Sequence, residues 1–293
     1  MIQGRPVRCA GRSQAAYTPP KHDTIVLADQ HDSFAEVLPS RGALISRFFA
    51  AGEEVLFVDA PALADPKANV HGGIPLLFPI AGKLPDGKYQ HGAKTFAMPQ
   101  HGFARTRAWR VIEKASDRLR CALESDEGTL AQFPWRFAAE FEASVVDGTL
   151  SISLTATNQD KSPMPFHAGF HPYFSIPRAA KSNARIETDA RHAFDNVSGT
   201  RGPISKIDLN ELDLHLEDHT RNGTTLQRGA ARRPIVLEWS GASRVVLWSQ
   251  RQADFICVEP WTAAGGALAT GDPKLVWIAP GASAKLAMSI RLG

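Results

Sequence analysis

Cysteine is scarce in this chain. There are three in 293 residues, Cys9, Cys121 and Cys257. They are odd in number and far apart, with no CxxC pair, which argues against a disulfide framework or a structural zinc site. Long apolar runs are missing too. The longest, about Ile74 to Ala81, is interrupted by two prolines and is much too short to span a bilayer. Neither sign of charge dominates, since 33 Lys and Arg stand against 30 Asp and Glu, a formal net charge of +3. Without a dense basic block, that balance excludes nucleic acid as the main partner. Gly-rich phosphate loops of the P-loop or Rossmann type are absent, as is the βαβ alternation that carries them. The N-terminus has Arg5, Arg8 and Arg12 and no acidic residue before Asp23. It lacks an apolar h-region, so it does not read as a secretory signal. The expectation is a flexible tail over 1–20, ending at Pro19-Pro20, then a single domain over 21–293 in a cytoplasmic protein.

What is present is an ordinary globular composition, 43% hydrophobic and 22% charged. That is enough to build one large core or two ordinary ones. The strand signal is strong. From Thr149 to Thr157, Leu150, Ile152, Leu154 and Ala156 alternate with Ser and Thr, the period-two signature of a half-buried strand. Phe141, Ala143 and Val145 alternate before it, and Asp147-Gly148 between the runs is a hairpin signal. The C-terminal third repeats the theme at Ile235–Trp239, Arg244–Ser249, Phe255–Glu259, Leu275–Ile278 and Leu286–Ile290. Short strands with Gly and Pro turns predict an all-β, antiparallel sandwich or barrel. The segment from Arg178 to Arg233 reads as polar and loop-like, and a short helix is expected around Leu130 to Phe133.

Four stretches set polar groups among aromatic and small residues: His71 to Pro79 running on to Lys83; Pro99 to Arg105, ending near Trp109; Phe166 to Phe174; and Cys257 to Trp261. Each has a structural reading. Gly72-Gly73 makes a tight turn, His101 is a turn histidine, His171 ends a strand before Pro172, and Glu259 ends another before Pro260. Together they supply histidines, a carboxylate and aromatic surfaces, the parts of a site for a small polar molecule.

The strings GGIPLLFP, HGFAR, HPYF and EPW, in that order, make the chain resemble the aldose 1-epimerase (galactose mutarotase-like) superfamily over roughly Asp23 to Gly293. The resemblance implies a β-supersandwich with few short helices. It also implies an isomerase that interconverts the α and β anomers of an aldose and needs no cofactor or metal. By that resemblance His171 is the general acid, Glu259 the general base, and His101 a sugar-binding residue that polarises the ring oxygen. Lys83 stands where members commonly carry Arg. Asp213 is the candidate for the hydroxyl-binding aspartate, with Asp218 competing. Trp261, Phe103 and Tyr173 are candidate walls, because aromatic rings suit the apolar faces of a pyranose.

The chemistry agrees with those roles. Opening a hemiacetal needs a base for the C1 hydroxyl and an acid for the ring oxygen, both working near neutral pH. The partner is thus a small aldose or sugar phosphate, handled by a monomer or homodimer with no nucleic acid or membrane involved. A free aldohexose is preferred. The rival is a hexose 6-phosphate, since PQHGFAR looks much like such epimerases and Arg105 could pair with a phosphate. Those relatives usually show Arg before GGIP, where this chain has His71, a weaker cation. Arg41, Arg47 and Arg107 are further candidates for phosphate contacts. Two other readings stand: a non-catalytic carbohydrate-binding protein on the same fold, and a cupin-like metal enzyme using the pairs His167/His171 or His215/His219.

Overall fold

Alternating apolar residues, turned back by Gly-containing turns, build antiparallel sheets. The structure is a computed structural model and describes residues 24–65, 68–204, 207–230 and 232–293. The expected tail, with Arg5, Arg8, Arg12 and Cys9, lies outside the described residues. Two eight-stranded sheets dominate those residues. The first runs, in spatial order, Arg185–Ile186, Gly223–Gln227, Ile235–Ser240, Ser283–Leu292, Thr149–Asn158, Phe137–Val146, Arg118–Glu124 and Arg110–Lys114. The second runs Thr200–Pro203, His192–Asp195, Leu212–Leu216, Arg244–Ser249, Phe255–Trp261, Gly169–Phe170 and Leu76–Leu77, with Tyr173–Ser175 also paired to Phe255–Trp261. A four-stranded sheet over residues 25–54 completes the main architecture.

The hairpin at Asp147-Gly148 forms as expected. Its two central residues have φ of 48° and 70°, the left-handed pair that matches strand twist. Phe141 then lies opposite Leu154, and Ala143 opposite Ile152, all fully or nearly fully buried. Their side of the first sheet shares one apolar cluster with Leu212, Leu247, Ile256 and Val258 of the second. Phe78 sits at its centre, with its ring 5.2 Å from that of Phe137. Each such residue contributes about 1.5–3 kcal/mol by leaving water.

Two local expectations change. The short helix is Glu127–Leu130, not Leu130 to Phe133. Asp126 starts it early, accepting from the Thr129 N–H at 2.7 Å while the Thr129 hydroxyl accepts from the Asp126 N–H at 2.8 Å. The polar segment from Arg178 to Arg233 carries five strands of two to five residues. They pair at or near sheet edges, where strands need few apolar residues. Ser240-Gly241 marks a passage between the two large sheets. The chain leaves the first sheet there and resumes in the second at Arg244. Gly241 is needed because a Cβ would lie 2.3 Å from the Lys285 carbonyl oxygen. No helix among the described residues is long and apolar enough to cross a membrane.

Candidate active site

The second sheet divides its residues by period two. Ile256 and Val258 face the common core, which leaves Cys257, Glu259 and Trp261 on the opposite face of the same strand. Strand register extends that face sideways: Glu259 lies opposite Val246, Val246 opposite His215, His215 opposite Phe194, and Phe194 opposite Arg201. One row across five strands thus carries side chains from residues 194 to 259. Tyr173 pairs with Cys257, which brings His171 alongside. Above this face lies a cavity of about 500 Å³, lined by His101, His171, Glu259 and Trp261 among others.

The two candidate acid–base residues are in contact. His171 Nε2 lies 3.3 Å from Glu259 Oε1, and Trp261 Nε1 donates to Glu259 Oε2 at 3.1 Å. Burial raises the Glu259 carboxyl well above its ordinary range, and the neighbouring Asp213 charge adds to this. Burial lowers His171, helped by the nearby His101 and Arg105. Both shifts disfavour charge on the buried pair. The ring of His171 is fixed by Tyr173, stacked at 4.6 Å and 8°, and by Trp248 edge-on at 5.6 Å.

His101 reaches the same point from a strained loop. It has φ of 67° and Gly102 has 69°. A Cβ on Gly102 would sit 2.3 Å from the Phe78 carbonyl oxygen, so only glycine permits this approach. The His101 N–H donates to the Gly82 carbonyl at 2.8 Å, and the Gly82 N–H donates to His101 Nδ1 at 3.0 Å. Nδ1 is therefore an acceptor, which leaves the proton of the neutral ring on Nε2. Burial, then the charges of Arg105 and Lys83, push the His101 pKa down to about 3. His101 is thus a neutral donor, with its ring 5.5 Å from that of His171.

The other expected residues divide. Asp213 lines the cavity, held by His215 at 3.3 Å and by Asn196, which donates at 2.7 Å. Burial alone would raise its carboxyl, but those hydrogen bonds and Lys83 hold it low. Asp218 lies outside the cavity lining and instead accepts from the Arg191 and His192 N–H groups. His71, Lys83, Arg105, Tyr173 and Trp261 line the cavity. Phe103 does not. Its ring stacks on Phe137 in the core, because Gly102 turns the chain inward there. Arg41 is occupied by the carbonyls of Leu63, Asp65 and Ala68, Arg47 by Glu36 and Glu54, and Arg107 by Asp126. None of the three reaches the cavity.

The histidine pairs expected from spacing are separated as well. His167 hydrogen-bonds the Ala263 carbonyl at 3.2 Å, and His219 pairs with Asp189 at 2.8 Å. Sequence reasoning missed Phe194, Asn196, Arg201, Glu217, Arg244 and Trp248, which also line the cavity. A signal existed: Asp213, His215 and Glu217 alternate with Leu212, Leu214 and Leu216, the pattern of a strand with one polar working face.

This constellation can move a proton between two heteroatoms of one small molecule. Residues 23–275 match the family model described as aldose 1-epimerase. The chain belongs to the aldose 1-epimerase family. Among its solved relatives, the Slr1438 protein of Synechocystis sp. PCC 6803 superposes with a TM-score of 0.89 at 29% identity, covering 96% of this chain and 99% of that one. A galactose mutarotase-like protein of Lactobacillus casei ATCC 334 shares the fold, with a TM-score of 0.79 at 24% identity, over 92% and 100% of the two chains. The curated "Putative glucose-6-phosphate 1-epimerase" of Cenchrus ciliaris is 28% identical over 187 residues, 58% of this chain and 51% of that protein. The chain thus spans about half the length of that curated relative. For this member of the aldose 1-epimerase family, the supersandwich expected from the sequence is the observed fold.

Proposed function

We propose that this aldose 1-epimerase family member interconverts the α and β anomers of an aldohexose, and that the hexose 6-phosphate is its preferred form. The observation that carries the reaction is the 3.3 Å contact between His171 and Glu259 inside the cavity, with Trp261 holding the far carboxylate oxygen. Glu259 takes the proton from the C1 hydroxyl while His171 gives one to the ring oxygen. The C1–O5 bond breaks and an aldehyde forms at C1. Rotation about C1–C2 presents the other carbonyl face, and the same two proton transfers run backwards as the ring closes. Each positioned acid or base supplies typically about 10²–10⁴-fold. His101 stays neutral and donates from Nε2 toward the ring oxygen or a hydroxyl. Asp213, fixed by His215 and Asn196, accepts from hydroxyls on the other side of the ring. No metal or redox group is needed by these steps.

The charge around the cavity supports a phosphorylated substrate and reverses the sequence-based preference for a free aldose. Lys83, Arg105, Arg201 and Arg244 line it against Asp213, Glu217 and Glu259, and with Arg201 paired to Glu217 the cations on offer to a phosphate are Lys83, Arg105 and Arg244. Arg105 acts electrostatically on both His101 and His171, so it lies on the acid's side. The ring oxygen faces the acid, and C5, which bears C6, is bonded to that oxygen. A 6-phosphate therefore extends toward Arg105, whose Nη1 and Nη2 donate to the Asn69 side chain and the Gln100 carbonyl at the cavity rim while its Nε is buried without a partner. The name of the Cenchrus ciliaris relative fits this reading. Sugar phosphates are retained inside cells by their charge, which supports a cytoplasmic enzyme. Because the cavity draws on residues from 69 to 265, the reading also requires that stretch to act within one domain.

The test is anomerisation of fresh α-glucose and α-glucose 6-phosphate, followed by NMR and corrected for the uncatalysed rate. Acceleration of both, with the higher kcat/KM for the phosphate, is expected. No acceleration of either refutes the epimerase, and a higher kcat/KM for glucose refutes the phosphate preference.

A further inference from the structure

The acid–base pair has a third neighbour that the proposed reaction does not use. Cys257 is fully buried, two residues before Glu259 on the same strand face and opposite Tyr173 in register. One donor atom each from His171, Cys257 and Glu259 lies within 4.8 Å of the others. This is the one such group of three among the described residues, and all its members are buried. It differs from the His167/His171 and His215/His219 pairs that spacing alone suggests.

We propose that His171, Cys257 and Glu259 form an inhibitory site for a thiophilic divalent cation, zinc or cadmium. Thiolate, imidazole and carboxylate are the donor types that zinc takes at about 2.0–2.3 Å, which puts the donors of a four-coordinate ion roughly 3.5 Å apart. His171 and Glu259 already meet that spacing at 3.3 Å. The triangle closes by a movement on the order of 1 Å of side-chain atoms, within what staggered rotamers absorb. Glu259 keeps Oε2 on Trp261 and offers Oε1. His171 Nδ1 is buried and has no hydrogen-bond partner, so binding an ion through Nε2 sacrifices no hydrogen bond of the ring except the Glu259 contact, and the stacking on Tyr173 holds the ring in place. The ion arrives through the cavity, which His171 and Glu259 line, and its fourth position faces the space where the sugar sits.

Binding breaks the Cys257 S–H bond and forms a metal–sulfur bond, with the proton going to buffer. Any proton on His171 Nε2 or Glu259 leaves in the same way, since ligands bind deprotonated. No electron is transferred. The ion then occupies the lone pairs of the acid and the base together. Inhibition therefore follows if the proposed epimerase reading holds, whereas metal binding itself does not depend on which reaction the site runs.

The experiment titrates chelator-stripped full-length protein with Cd²⁺ and reads the ultraviolet thiolate-to-cadmium absorption band. Anomerase activity is measured in parallel. Wild type is expected to show one equivalent of band attributable to Cys257, and Zn²⁺ or Cd²⁺ to inhibit. In Cys257→Ser the band falls to the background set by Cys9 and Cys121, and inhibition weakens by more than about tenfold, at or above the scale of losing even an outer-shell partner. Its metal-free rate stays near wild type. If Cys257→Ser does not fold, Glu259→Gln serves instead, with Cys257 intact and the band weakened. A band unchanged in either variant, an inhibition midpoint unchanged in Cys257→Ser, or no band in wild type would overturn the site. A band without any anomerase activity would leave the metal site standing and reject the epimerase.

Discussion

Trp261→Phe isolates the electrostatic work of one hydrogen bond. Trp261 Nε1 donates to Glu259 Oε2 at 3.1 Å, and this bond favours the ionised carboxylate against burial, which raises its pKa. Phenylalanine keeps a ring in the cluster with Leu77, Ala81 and Val246 but removes the donor. A hydrogen bond to a charged group is worth about 1.5–3 kcal/mol. The lower figure already raises the Glu259 pKa by about one unit, since one unit is 1.36 kcal/mol. The sign follows directly. Glu259 acts as a base only when ionised, so a higher pKa leaves a smaller active fraction below it. The deficit is full at pH values well below the shifted pKa, shrinks as pH rises through it, and vanishes above. The variant is thus expected to lose about tenfold in kcat/KM near neutrality and to approach wild type at alkaline pH. The assay is the kcat/KM against pH profile, by NMR of the anomers. A deficit equal at every pH, or no deficit, refutes the argument that Trp261 acts through the ionisation of Glu259.

Two other changes probe separate parts of the account. Arg105→Gln removes a charge-assisted partner worth about 1.5–3 kcal/mol, so kcat/KM for glucose 6-phosphate falls about 10- to 150-fold. The value for glucose should fall much less, and an equal loss on both sugars would contradict a phosphate contact. Gly102→Ala forces an alanine to φ near 69°, with its Cβ 2.3 Å from the Phe78 carbonyl oxygen. It should cost at least about 1–2 kcal/mol, seen by calorimetry as a lower Tm, and should lower activity by displacing His101; an unchanged Tm counts against the strain argument.

Much of the fold was legible because its longest hairpin is written in alternation over Phe141–Val145 and Thr149–Thr157, with Asp147-Gly148 at the turn. Apart from Leu212–Leu216, whose leucines alternate with polar residues, the short strands between Arg185 and Gln227 were not, because two to five residues at or near a sheet edge carry too few apolar positions to show a period. The same split runs through the site. His101, His171 and Glu259 sit in distinctive local strings, and the structure gathers all three around one cavity. Arg201, Phe194 and Trp248 reach that cavity only through strand register, a relation between distant segments that no local pattern records. Phe103 shows the opposite limit. It belongs to the same string as His101, yet the left-handed turn at His101 and Gly102 sends it into the core. Net charge is silent for a related reason, since +3 over the chain does not say where Lys83, Arg105, Arg201 and Arg244 meet Asp213, Glu217 and Glu259 on one cavity.

The central claim is that Glu259 and His171 form the acid–base pair of an anomerase, and Glu259→Gln tests it most directly. The substitution is nearly isosteric and keeps an acceptor oxygen for Trp261, but it removes the base. With α-glucose 6-phosphate followed by NMR, the account expects the rate to fall by about 10²–10⁴-fold while circular dichroism and Tm stay near wild type. A well-folded Glu259→Gln protein that anomerises the sugar at close to the wild-type rate would contradict it.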